Sequence, residues 1–248
     1  MEESASFRGA LVVPVFNEAQ RFDPAYWREI ASAAKARVHF IDDGSSDGSG
    51  ELLDEMGKED VFTVIHLPVN QGKANAVRVG LKDALVSSPD LPVGFIDADR
   101  VFIPDDVAHL RSLLDRDDLL GFEGFFSSRV ALSGREIQRR ASRHYVGRAI
   151  ATVLSTAYAP MPYDSQSGLK LFRPSEVLLE CLQAPFATRW FFEMELLVRW
   201  RRATGAPMRV WEEPVNSWFD APGSKISGRE AFRVPREIYR VIALARRG

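Results

Sequence analysis

The chain has 248 residues, 46% hydrophobic and 27% charged, with a formal net charge of −2 at pH 7. That length suits one large domain or two intimately packed halves, and so small a net charge excludes the global field that nucleic acid demands. The charge is unevenly placed: residues 135–148 hold five arginines against Glu136, residues 229–247 hold six against Glu230 and Glu237, and the first half is acidic. The single cysteine, Cys181, excludes an internal disulfide, suits a reducing cytosol and reads as a small buried hydrophobe. Met1–Gly9 is polar and acidic, so no secretory leader is expected. No uncharged apolar run reaches the roughly 20 residues that span a bilayer; Ile150–Tyr163 is the longest uncharged stretch, and Pro160 and Pro162 break it.

In chain order, Ala10–Val15 reads as a strand, Asn17–Pro24 as its exit loop and Tyr26–Ala36 as a helix. Val38–Asp42 is a second strand, and the turn after it caps a helix over Gly50–Glu59. Val61–Leu67 is a third strand, Asn70–Lys73 turns into a helix reaching about Val86, and Val93–Ile96 is a fourth strand. Pro104–Leu114 is a helix with Asp105 and Asp106 in its first turn, where acids are favoured. This β-α alternation implies an α/β fold with a right-handed, doubly wound, mostly parallel sheet and helices on both faces. Farther on, Leu119–Ser127 reads as a strand and Glu136–Ala157 as a long helix with an apolar stripe from Val146 to Ala157. Asp164–Phe172 is a loop entering a strand, Phe191–Thr204 a helix, Pro207–Val215 a strand, Ser217–Gly228 a polar loop and Pro235–Arg246 a basic amphipathic helix. The chain reads as one domain over 1–248, with a nucleotide-binding half at about 8–100 and an acceptor-binding half at about 101–248.

Three apolar runs end abruptly in acids: Leu11–Glu18 (LVVPVFNE), Phe40–Gly48 (FIDDGSSDG) and Phe95–Asp99 (FIDAD). Such runs read as buried parallel strands, and ligands of open α/β sheets bind at their carboxyl ends. Glu18, Asp42, Asp43, Asp97 and Asp99 are therefore expected at one edge. The carboxylates of Asp97 and Asp99, two residues apart across Ala98, can both reach a hard divalent cation. Alone, Asp-Ala-Asp equally suits a strand end with a helix-capping Asp.

Together these segments resemble family 2 glycosyltransferases of the GT-A fold. The Asn70–Gly80 stretch (NQGKANAVRVG), Asp164–Phe172 (DSQSGLKLF), Arg189–Leu197 (RWFFEMELL) and Gly223-Ser224-Lys225 are similar to the dolichyl-phosphate glucosyltransferase and polyprenyl-phosphate hexosyltransferase branch, as are Ser128 and Arg129. The resemblance covers about residues 10–240 and implies an inverting, metal-dependent enzyme. Its donor would be a nucleoside diphosphate hexose, UDP-glucose ahead of GDP-mannose, its acceptor a polyprenyl phosphate, and its cofactor Mg²⁺ or Mn²⁺. It further implies that Pro14, Phe16, Glu18 and Asp43 hold base and ribose, with Lys73 near the donor. Asp97 and Ala98 would line the sugar, Asp97 and Asp99 would hold the metal with Asp99 foremost, and Arg129 and Arg140 would grip phosphate, which guanidinium matches bidentately.

Two departures stand out. Val101 occupies the place of a glutamine that often gives the mannosyltransferase branch an extra metal contact, and the chain stops after one amphipathic helix where many relatives have membrane helices. A cytoplasmic protein, peripheral to an anionic membrane surface at most, is expected, its basic helices resting on headgroups or packing on the core. The rival is a soluble transferase acting on a sugar or small-molecule hydroxyl, with Asp164, Glu193 or Glu195 as base, each of which equally suits orienting an Arg or Lys. A nucleotide-sugar-binding protein without turnover is the third reading, and the intact Asp97/Asp99 pair argues against it.

Overall fold

The structure, a computed structural model, describes residues 7–138, 141–219 and 234–246, without the side chains of 141–146. Four strands are laid down first, alternating with helices: β1 (Ala10–Val15), α1 (Pro24–Ala34), β2 (Arg37–Asp42), α2 (Ser49–Met56), β3 (Phe62–His66), α3 (Lys73–Ser87), β4 (Val93–Ile96) and α4 (Pro104–Leu113). Then come β5 (Gly124–Ser128), β6 (Glu136–Gln138), α5 (Ala141–Ser155), β7 (Leu169–Phe172), α6 (Glu176–Cys181), α7 (Phe192–Thr204), β8 (Val210–Pro214), β9 (Ser217–Phe219) and α8 (Val234–Arg246). Seven strands form one sheet in the order β3-β2-β1-β4-β7-β5-β8, with only β7 antiparallel to its neighbours. The expected α/β architecture, a mostly parallel sheet covered on both faces, is the one observed.

Period-two alternation in β1 splits the core. Leu11, Val13 and Val15 face the layer of α1, α2 and α4, packing with Trp27, Ile30, Leu53 and Val107. Ala10 and Val12 face the layer built on α3, α6 and α7, with Val77, Leu81, Leu178 and Leu197. Gly80 lets α3 press onto the sheet, because a Cβ there would lie 2.5 Å from Val12 Cγ1. Asp23 caps α1 by accepting from the Ala25 and Tyr26 amides, with Pro24 in the first turn.

Three expectations are corrected. The helix read over Glu136–Ala157 begins at Ala141, since Glu136–Gln138 is the strand β6, paired in parallel with β9. Ser217–Phe219 is accordingly a strand and not loop, held in place because Asp106 accepts from the Asn216 and Ser217 amides. The strand read from Leu119 starts at Gly124, and a 3₁₀ turn fills Asp117–Leu119. The Gly223-Ser224-Lys225 stretch lies outside the described residues.

The amphipathic α8 is docked by its apolar side. Val241 is buried, and Val234, Ile238, Ile242 and Leu244 pack against the same layer as α7. Glu237, also buried, accepts from the Arg189 and Trp190 amides. Pro235, Arg236, Tyr239 and Arg240 face outward.

Candidate active site

Strand order reverses at β1, which has β2 on one side and β4 on the other. A crevice opens where connections leave a sheet in opposite directions, so β1 and β4 direct the site. Past β1, Phe16 is 45% exposed. Asn17 takes a left-handed conformation (φ 54°), its amide donating to Ser45 Oγ while its side chain accepts from the Ser46 amide. Glu18 donates its amide to Ser49 Oγ at 2.8 Å and pairs its carboxylate with Arg21. The loop after β1 is thus stitched to the Asp-Asp-Gly-Ser turn after β2.

Within that turn the acids serve the backbone. Asp42 accepts from the Ser45 amide at 2.9 Å and from His66 Nδ1 at 2.8 Å. Burial opposes its ionisation, but these bonds prevail and hold it below the usual carboxylate range. Asp43, buried, receives the Gln71 and Gly72 amides at 2.7 Å each. Both oxygens hold the loop leading into α3, and each keeps a second lone pair with which to meet the base expected there. Gly44 carries a positive φ of 73°, and a Cβ there would meet the Asn70 amide at 2.8 Å.

At the end of β4, the Asp97 amide donates to the Gly168 carbonyl at 2.9 Å, and any Cβ at Gly168 would overlap the Asp97 carboxylate. Lys73, the first residue of α3, brings Nζ within 2.5 Å of Asp97 Oδ1. Burial pulls the Lys73 ammonium down, yet Asp97, Glu193 and Asp99 more than offset this and hold its pKa above the usual value. Burial, reinforced by Asp97, pushes Asp99 up to about 6. Asp99 Oδ1 is buried with no hydrogen-bond partner. Such an oxygen calls for a cation or donor, which fits a divalent metal. Among the described residues no three His, Cys, Asp or Glu side chains form a metal cluster. Val101, whose amide bonds Asp99, is fully buried in the core.

Beneath the crevice the expected base Glu193 meets a lysine that the sequence reading passed over. Lys170, in the middle of β7, is fully buried with Nζ 3.9 Å from Glu193 Oε1, and it donates to the Ser167 carbonyl. Burial pushes Lys170 down to about 8 and raises Glu193. A lysine alternating with Leu169 and Leu171 in an apolar strand was the available signal. Gln166 Nε2 donates to Glu193 at 3.3 Å. Glu195 is structural: it accepts from the Ala187 and Thr188 amides and pairs with Arg199 at 2.7 Å.

Arg129, just past β5, lies over the Trp218 ring at 4.9 Å and meets Asp164 through Nε at 2.7 Å and Nη2 at 2.6 Å. The expected phosphate grip and the expected base thus face each other. Glu193 first and Asp164 after it favour the charged form of Lys170 against its burial. The structure therefore gathers Phe16, Glu18, Lys73, Asp97, Ala98 and Asp99 around the mouth of β1 and β4, with Pro14 half-buried inside β1. Arg140 falls outside the described residues.

The family profile for Glycosyl transferase family 2 matches residues 10–158. Poly-beta-1,6-N-acetyl-D-glucosamine synthase of Staphylococcus aureus (strain COL) is 31% identical over 107 residues, 43% of this chain. The matched segment spans only 25% of that synthase's length. Among solved structures, the mannosyltransferase PcManGT from Pyrobaculum calidifontis, in complex with GDP-Man and Mn²⁺, superposes with a TM-score of 0.63 at 19% identity, covering 97% of this chain and 64% of that one. S. aureus TarS 1–349, in complex with UDP-GlcNAc, gives 0.59 at 17% identity, covering 96% and 66%. These superpositions establish the shared fold.

Proposed function

The chain belongs to glycosyl transferase family 2, and from that premise we propose that it moves a hexose, glucose in the first instance, from a nucleoside diphosphate to a polyprenyl phosphate with inversion. The reading rests on the resemblance of residues 70–80, 164–172 and 189–197 to the dolichyl-phosphate glucosyltransferase branch, and the same Asp164–Phe172 stretch favours UDP-glucose over GDP-mannose.

The observation that carries the acceptor is the engagement of the candidate bases. A hydroxyl nucleophile must lose its proton to a positioned base. Asp164 is spread over Arg129, and Glu193 faces Lys170 and Gln166. A phosphate monoester has a second pKa of about 6, arrives largely ionised at pH 7 and needs no such base.

Asp97 and Asp99 would hold Mg²⁺ or Mn²⁺, completed by donor phosphates and water, and the ion would offset charge on the departing diphosphate as a Lewis acid. The complex of the PcManGT neighbour with Mn²⁺ supports this cofactor. Phe16 offers its exposed ring to the base. Pro14, Glu18 and Asp43 shape the base and ribose wall, Asp43 through the loop it anchors. Lys73 leaves its partner Asp97 poised between ammonium and sugar, and Ala98 keeps the floor low between the two acids. Arg129 orients Asp164 beside the acceptor.

No helix of the described residues is long and apolar enough to cross a membrane. The lipid would be met from the cytoplasmic side at an anionic surface, with Arg236, Tyr239 and Arg240 of α8 facing it. Consumption of UDP-glucose with Mg²⁺ or Mn²⁺, measured with and without an isoprenyl phosphate, tests the reading. Acceptor-dependent release of UDP is expected. Transfer to water-soluble hydroxyl acceptors alone would overturn it.

A further inference from the structure

We propose that a second anion site lies beside the crevice, in the cavity between the first turn of α3, residues 185–189 and α8, and that it binds a phosphomonoester carrying a hydrocarbon stem. The cavity holds about 370 Å³ and is lined by Arg189, Arg236 and Arg240, with Gln71 and Asn75 opposite and Glu237 at its base. Its size falls in the range of small-ligand sites, roughly 300–1,000 Å³.

Three guanidinium groups meet one carboxylate there, and that carboxylate already accepts the Arg189 and Trp190 amides at 3.1 and 2.7 Å. Among the described residues none of the three arginines forms an ion pair. Arg189 Nη2 donates to Asn70 Oδ1 and Arg240 Nη1 to the Ala187 carbonyl, both neutral acceptors. Their charge is left over for a ligand, and planar guanidinium groups suit phosphate oxygens. Pro185, Phe186 and Ala187 make the remaining wall apolar, which suits a hydrocarbon stem attached to the phosphate.

The cavity also abuts the crevice. Gln71 lines it, while its amide binds Asp43 in the opposite direction. Arg189 lies across Gly72, where a Cβ would stand 3.0 Å from Nε. One residue on, Lys73 meets Asp97. A phosphate held here rests on α8 and the 185–189 loop, apart from Arg129 and its partner Asp164.

The site stands on its own arginines and not on the acceptor assignment, and its test separates the two ideas. With UDP or GDP saturating the crevice, inorganic phosphate and a C10 isoprenyl monophosphate are titrated by ³¹P NMR into the wild type, R236Q/R240Q and R236K/R240K, melting curves being recorded alongside. Both probes are expected to bind the wild type, to bind R236Q/R240Q at least tenfold more weakly, and to recover part of the loss in R236K/R240K. Weaker binding at higher salt is expected as well. Binding of both probes with no transfer to the isoprenyl phosphate keeps the site and removes the acceptor assignment. Affinities equal in wild type and R236Q/R240Q, no binding to a folded wild type, or displacement of phosphate by the nucleotide would each overturn the site.

Discussion

Lys170 Nζ lies 3.9 Å from Glu193 Oε1 between β7 and α7, with both side chains cut off from solvent. This pair sets the floor beneath Asp97, and its removal is asymmetric. Lys170→Met leaves Glu193 buried without its cation and should lose about 3–5 kcal/mol of stability. Lys170→Met combined with Glu193→Gln should recover most of that. Urea denaturation of the single and double variants decides; equal losses would mean the two groups are uncoupled.

Asp99→Asn should abolish metal-dependent donor binding while the protein stays folded. The buried, unpartnered Oδ1 of Asp99 motivates this. The neutral amide relieves a charge that burial already disfavours, so the metal-free variant should melt no lower than the wild type at pH 7. Calorimetry with nucleotide and Mn²⁺ checks the first part; undiminished Mn²⁺-dependent affinity would remove Asp99 from the metal site.

Phe16→Ala should weaken nucleotide binding by about 1–3 kcal/mol, the range for stacking of a base on an aromatic ring. Because Phe16 is 45% exposed, the melting temperature should hold. A binding isotherm beside a melting curve separates a lost stacking face from a damaged core.

His66 bridges Asp42 and Asp54, with Nδ1 at 2.8 Å and Nε2 at 3.0 Å. Its hydrogen bond with Asp42 raises its pKa above 6.5. A raised histidine pKa means the folded state holds the proton more tightly. The stabilisation is therefore full below pH 6.5 and fades as pH climbs through the higher folded value. His66→Gln should be less stable than the wild type at pH 5.5, and the gap should narrow toward pH 8. A pH series of chemical melts would refute the bridge if the gap widened instead.

Strands β1, β2 and β4 were legible because each is an apolar run broken off by acids; β1 and β4 were read with their observed limits. β6 and β9 were not. Each has three residues, and their pairing depends on Asp106 gripping Asn216 about a hundred positions away. The site divides similarly. The acids at the strand ends were legible as a group, but the partners each one holds were not. Asp43 is claimed by amides 28 and 29 residues on, and Asp164 by Arg129 35 residues back. Lys170 was hidden because burying a lysine runs against its ordinary preference, so only the packing of β7 reveals it.

The reversed course of β7 bears on how such an enzyme diversifies. Ile96, at the end of β4, pairs with Leu169, at the start of β7. The segment before β7 therefore arrives at the rim already marked out by the ends of β4 and β5. Residues 159–168 form a cassette hinged on one rigid strand, reaching the shared rim without passing through β1 or β2. At its last residue the segment touches Asp97, whose amide donates to the Gly168 carbonyl and whose carboxylate occupies the space a Gly168 side chain would need, so variation is constrained at Gly168 and freer toward the start of the segment.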